Sequence, residues 1–211
     1  MPVVRAMQRI ALYSHDSQGL GHLRRNLAIA EAFSRTPGRA VLLLTGAREA
    51  GVFSMPPGTD CLSLPALHKA EGRYAPRSLG LELGEVIDLR SDMIRAALTR
   101  FAPDLLIVDK HPLGVHGEME PALRALAGNA RVVLGLREVL DDPAVVAREW
   151  RRERTVESIH EHYDAVPMSA PARTCGSSRC ARRSAGASTP RVLAEHTWDA
   201  VSIFDPEHAN V

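Results

Sequence analysis

The sequence predicts an α/β domain, a parallel sheet with helices on both faces, followed by an irregular tail. Three observations predict it. Short β-rich runs alternate with amphipathic stretches from Arg9 to Val166, the order that gives βαβ crossovers and a parallel sheet. The β-rich runs are continuous apolar segments, as strands buried on both faces are. The alternation then ends abruptly at Pro167.

The elements follow in order. Arg9–Tyr13 is a first strand, and a polar loop with two glycines, Ser14–Gly21, follows it. Leu23–Phe33 is a helix, with Leu23, Leu27 and Ala30 at helical spacing and Arg24, Arg25 and Glu31 outside. Pro37-Gly38 ends it. Ala40–Leu44 is a second strand, closed by Thr45-Gly46, and Asp60–Leu64 a third. His68–Arg77 reads as a long polar loop. Leu81–Phe101 is a long helix with Leu83, Ile87, Ile94 and Leu98 along one stripe. Asp104–Val108 is a fourth strand, Glu118–Ala127 a helix and Arg131–Leu134 a fifth strand. Asp142-Pro143 caps a helix that runs to about His160. Asp164–Val166 opens a sixth strand.

Pro167–Val211 has a different character. Pro167–Pro190 holds four arginines and no acid, is rich in Ser, Ala and Pro, and shows no apolar period, so it reads as disordered. The domain division is therefore 8–166 and 167–211.

The 211 residues suffice for one α/β domain and a tail. A net charge of +1 gives no whole-chain pull toward nucleic acid or membrane. Three cysteines make a poor disulfide framework, and no apolar run reaches membrane-spanning length. With no leader-like N-terminus, a cytoplasmic protein is expected. Cys175 and Cys180 lack the spacing and paired ligands of a zinc site, so no metal is expected. The basic run Arg148–Arg154 reads as a solvated helix face with Trp150 turned to the core; a membrane-surface patch is the alternative.

Ligands of such sheets bind outside the carboxyl ends of the strands, so the loops after the strands are the candidate site. The strongest is SHDSQGLGHLRR, Ser14–Arg25. Gly19 and Gly21 permit a tight bend and close approach of a ligand. With Leu20 they lead into a helix N-terminus that offers free N–H groups to phosphate. The dinucleotide pattern is incomplete, since Arg24 stands at the third glycine and no acid follows the second strand. Asp109-Lys110-His111 and Arg137-Glu138 follow the fourth and fifth strands and reach the same crevice. Lys110 suits an anionic ligand, and Arg137 an acceptor.

A strand running into QGLGHLRR, with the histidine opening the helix, resembles the N-terminal domain of GT-B glycosyltransferases. It is similar to the GxGH or GGH loop of plant-type enzymes and of the lipid II N-acetylglucosaminyltransferase. RIALYSHDSQGLGHLRRNLAIA, VLLLTGAREAG, DLLIVDKHPLG and VLGLREVLDDP together look like a group of bacterial predicted glycosyltransferases, in the same order, over roughly Gln8–Val166. The resemblance implies a Rossmann-like, acceptor-side domain. It implies transfer of a sugar from a nucleotide-sugar donor to a hydroxyl acceptor, glycan or lipid-linked, without a cofactor. It gives His22 the role of general base, taking the acceptor proton. Asp16 and His15, in the same loop, either orient His22 or act as base themselves.

That family pattern needs about twice this length, because a second domain grips the donor. The match stops in the sixth strand, which suggests a reading-frame change near codon 166. On that expectation the isolated chain neither holds a nucleotide-sugar strongly nor turns over. The alternatives are a binding half that works with a separate donor-domain subunit, and a sugar-nucleotide epimerase of like architecture.

Overall fold

The computed structural model describes residues 7–15, 20–70, 72–136, 150–151 and 154–166. The order is β1 (Gln8–Ser14), α1 (Gly21–Ser34), β2 (Arg39–Thr45), β3 (Thr59–Ser63), β4 (Leu67–Ala70), β5 (Arg73–Pro76), α2 (Leu83–Phe101), β6 (Leu105–Asp109), α3 (Glu120–Leu126), β7 (Arg131–Gly135) and α4 (Thr155–His162).

Five parallel strands form one sheet in the order β3-β2-β1-β6-β7. The chain builds outward from β1 to β3, then crosses back to the other side of β1 with β6 and β7. This is the Rossmann-like arrangement, and its switch point lies between β1 and β6. Tyr13 pairs with Val108 across that junction.

Alternation along the strands divides the core between two faces. Ile10, Leu12, Leu105, Ile107 and Val133 pack with Leu23, Ala30 and Phe33 of α1. Ala11, Tyr13, Leu106, Val108, Val132 and Leu134 pack with Ile94 and Leu98 of α2, Leu123 of α3 and Ile159 of α4. Both faces are covered, so these strands contain no polar alternation.

Two expectations change. His68–Arg77 holds a hairpin, not an open loop: β4 and β5 pair antiparallel, Leu67 with Pro76 and Lys69 with Tyr74. Gly72, at φ 78, supplies the left-handed residue its turn needs. Leu67 and Tyr74 pack on Val86 and Ile87 of α2 and on Val115. Of the expected sixth strand, the described residues show one parallel bridge, Val133 with Ala165. The helix expected to run through to His160 is interrupted at Arg154, which is left-handed at φ 50 and starts α4 afresh. Asp142-Pro143 and the whole tail from Pro167 lie outside the described residues, while Trp150 packs against the core as expected. Among the described residues no helix is long and apolar enough to cross a membrane.

Candidate functional site

The site grows from two strand ends. β1 finishes at Ser14, and α1 begins at Gly21 with His22 in its first turn. β6 finishes at Asp109. Because β1 and β6 are neighbours, their carboxyl ends bring His22 and Asp109 together across 87 positions of sequence.

His22 Nδ1 lies 2.6 Å from Asp109 Oδ2, with both side chains buried. A carboxylate only accepts, so Nδ1 carries the proton, and in the neutral ring Nε2 is the nitrogen with the lone pair. Among the described residues Nε2 has no hydrogen-bond partner. Helical spacing places Arg25 and Asn26 on the same side of α1 as His22. Arg25 Nη1 donates to Asp109 Oδ1 at 3.0 Å, and Asn26 Nδ2 reaches Oδ2 at 3.4 Å. Asp109 therefore faces three donors at once and is held in one orientation.

His15 continues from β1 into the same space and is only 2% exposed. Its ring stands edge-on to His22 at 5.8 Å and tilted against His111 at 4.2 Å. Its Nε2 lies 3.2 Å from the Tyr74 hydroxyl. Burial first, and then the charges of His111, Lys110 and His22, lower its pKa from 6.5 to about 2. His15 is thus a neutral ring. Tyr74 also stacks edge-on to His116 at 5.5 Å, so the hairpin forms one wall of the crevice.

The segment after β6 is tightly constrained. Lys110 is left-handed at φ 72, and His111 N donates to Asp109 O at 3.0 Å, a γ-turn of the strained, positive-φ form. Lys110 N donates to Gly135 O at 3.0 Å, which pins the turn to β7. Gly114, at φ 70 and ψ −156, occupies a region open only to glycine. A Cβ there would lie 2.9 Å from both Tyr13 Oη and Met119 Cγ.

Of the residues singled out in the sequence, the structure brings His15, His22, Leu20, Gly21 and Lys110 to this crevice. Leu20 precedes the first turn of α1, which contains no acid, and Gly21 opens it. Lys110 is exposed at the rim. Asp16, Gly19 and Arg137 lie outside the described residues. The side chain hydrogen-bonded to His22 is Asp109, which sequence reasoning placed in the crevice without a role. The available signal was an acid at the last position of a strand next to β1. Tyr74, within the missed hairpin, had no such signal.

No family model and no curated protein matches the chain. Among solved structures it is similar to CalG4, the calicheamicin glycosyltransferase, at 14% identity and a TM-score of 0.37, over 76% of this chain. The chain spans 47% of the length of that protein.

A concavity of about 810 Å³ lies elsewhere, lined by Ala127, Arg131, His160 and Tyr163 among others. It sits at the amino end of β7, away from the His22–Asp109 pair. There His162 Nε2 lies 3.8 Å from Glu161 Oε1, beyond hydrogen-bond distance and with the glutamate exposed, so the chemistry favours the carboxyl-end crevice. No three His, Cys, Asp or Glu side chains among the described residues converge as a metal set.

Proposed function

We propose that this chain supplies the acceptor side of a glycosyltransferase, with His22 as general base and Asp109 as its orienting partner. The observation that carries this reading is the buried His22–Asp109 hydrogen bond of 2.6 Å, with Nε2 left open at the switch point of the sheet. In the proposed step the acceptor hydroxyl oxygen forms a bond to the anomeric carbon. The bond from that carbon to the donor phosphate breaks and its electrons leave with the diphosphate. The acceptor proton passes to His22 Nε2. Asp109 fixes the tautomer and stabilises the resulting imidazolium, and it keeps its own negative charge. The N-terminus of α1, opened by Gly21, lies on the side proposed for the donor phosphates. Donor grip belongs to a second half, in the same polypeptide or in a partner subunit.

The test begins with the gene, read across codons 160–211 in all three frames. The longest product carrying residues 8–166 is then assayed for sugar transfer from a panel of nucleotide-sugars. His22→Ala is expected to lower transfer by about 10²–10⁴-fold and Asp109→Asn by a smaller factor, with the fold intact by circular dichroism. Transfer that survives His22→Ala undiminished would sink the assignment.

A further inference from the structure

We infer that Arg25 is the positioning residue of the His22–Asp109 pair, and that Gly135 is the space it needs. The inference rests on the transferase reading above and adds a residue that acts through Asp109 rather than on a reactant.

The strand register prepares the place. Leu105, Ile107 and Asp109 are alternate residues of β6, and the first two pack with α1. Alternation turns Asp109 to the same face. On β7, Val133 also packs with α1, so Gly135 falls on that face, where it pairs with Asp109 across the sheet. The row therefore has a gap beside the carboxylate. A Cβ built at Gly135 would lie 3.4 Å from Arg25 Nη2 and 3.9 Å from its Cζ, so the guanidinium occupies that gap. Gly135 is not among the positive-φ glycines. Room, not backbone conformation, is what glycine supplies here.

Helix α1 delivers the other half. Arg25 follows His22 by three residues and so shares its side of the helix. Arg25 Nη1 donates to Asp109 Oδ1 at 3.0 Å, while His22 Nδ1 lies 2.6 Å from Oδ2. Arg25 Nη2 also reaches Leu136 O at 3.5 Å, the outer limit of a hydrogen bond. Asn26 Nδ2 approaches Oδ2, the oxygen that His22 already uses, at 3.4 Å. Among the described residues Arg25 is thus the group that fixes Oδ1, and with it the plane of the carboxylate. A bare counter-ion for a buried acid would need only a charge nearby. A guanidinium seated in a glycine gap also sets direction.

Direction matters because of the tautomer. A neutral histidine in water favours the proton on Nε2. The reading above needs the reverse, with Nδ1 protonated and the lone pair on Nε2. The carboxylate holds that form only while it stays aligned with Nδ1.

The test is the tautomer of His22, read from its ring nitrogen NMR shifts in the full chain at a pH where the ring is neutral. The signals are assigned by their loss in His22→Ala. The unmutated chain is expected to show the Nδ1–H form. Arg25→Gln, with its fold checked by circular dichroism, is expected to move the ratio at least about tenfold toward the Nε2–H form. Gly135→Val leaves every partner in the sequence but fills the gap, and should move the ratio the same way. The Nε2–H form in the unmutated chain, or an unmoved ratio in Arg25→Gln, overturns the inference. Where Arg25→Gln does not fold, Gly135→Val decides by the same criterion. In the longest product carrying residues 8–166, Arg25→Gln should also lower kcat about 10–100-fold with the acceptor KM unchanged. A change confined to KM would set Arg25 against the acceptor itself and overturn the positioning role. The transferase reading stands or falls separately: transfer that survives His22→Ala sinks it and leaves the tautomer result as it is.

Discussion

His15 illustrates how a single residue sets a pH limit on this fold. Burial and its cationic neighbours hold its pKa near 2, against 6.5 for an exposed histidine. Below pH 6.5 the unfolded chain takes up a proton at this position and the folded chain does not. The stability that neutral His15 contributes is therefore complete above that pH and is lost as pH falls toward 2. The loss is about 1.4 kcal/mol per pH unit from this one group. Urea unfolding as a function of pH should show that slope beginning just below neutrality. His15→Gln should flatten it in the range before carboxylates begin to titrate. An identical slope in the variant would place the acid sensitivity elsewhere.

Among the elements, the β4–β5 hairpin is the one whose existence depends most on its neighbours. A two-stranded hairpin alone is marginal in water. This one is held by Leu67, 2% exposed, against Val86 and Ile87 of α2. It carries Tyr74 to the His15 and His116 rings, so its docking shapes the crevice. Leu67→Ala should cost about 2–4 kcal/mol locally. Hydrogen exchange should report it as fast exchange confined to residues 67–76, with β1 and β6 unchanged. Uniform acceleration across the sheet would show instead that the hairpin folds as one unit with the domain. The hairpin was hard to read because half of its residues are polar and each strand has four residues. Leu67, Gly72 and Tyr74 were the only cues, and each is common in loops.

Across the whole molecule, one buried ionic network ties the layers together. Arg90, in the middle of the apolar stripe of α2, donates to both oxygens of Glu118 and to the carbonyl of Pro65. Tyr13 of β1 donates to the same carboxylate. Burial alone would lower the pKa of Arg90, but its bonds and charge attraction to Glu118 outweigh that and raise it. Burial and the neighbouring Glu118 raise that of Tyr13. Glu118→Ala would strand a buried guanidinium and should cost about 3–5 kcal/mol of global stability. Replacing Arg90 and Glu118 together by Met and Leu should cost less than Glu118→Ala alone. Chemical denaturation of both variants decides this, and a larger loss in the double variant would contradict it.

The alternation of apolar runs and helical stretches was enough to establish the α/β class, the five strands of the main sheet and the helices α1, α2 and α3. Those features rest on local spacing, which a sequence displays directly. The GLGH segment marked the start of α1 in the same local way, whereas the role expected of His22 came from a family resemblance. The pairing of His22 with Asp109 was decided only by the tertiary structure. It depends on β6 lying beside β1, and strand order is set by how helices cover the two faces, not by any local pattern. Arg90 inside an apolar stripe, the neutral state of His15 and the strained Lys110 turn have the same origin. Each depends on groups far apart in the chain that meet only when the sheet closes over its core.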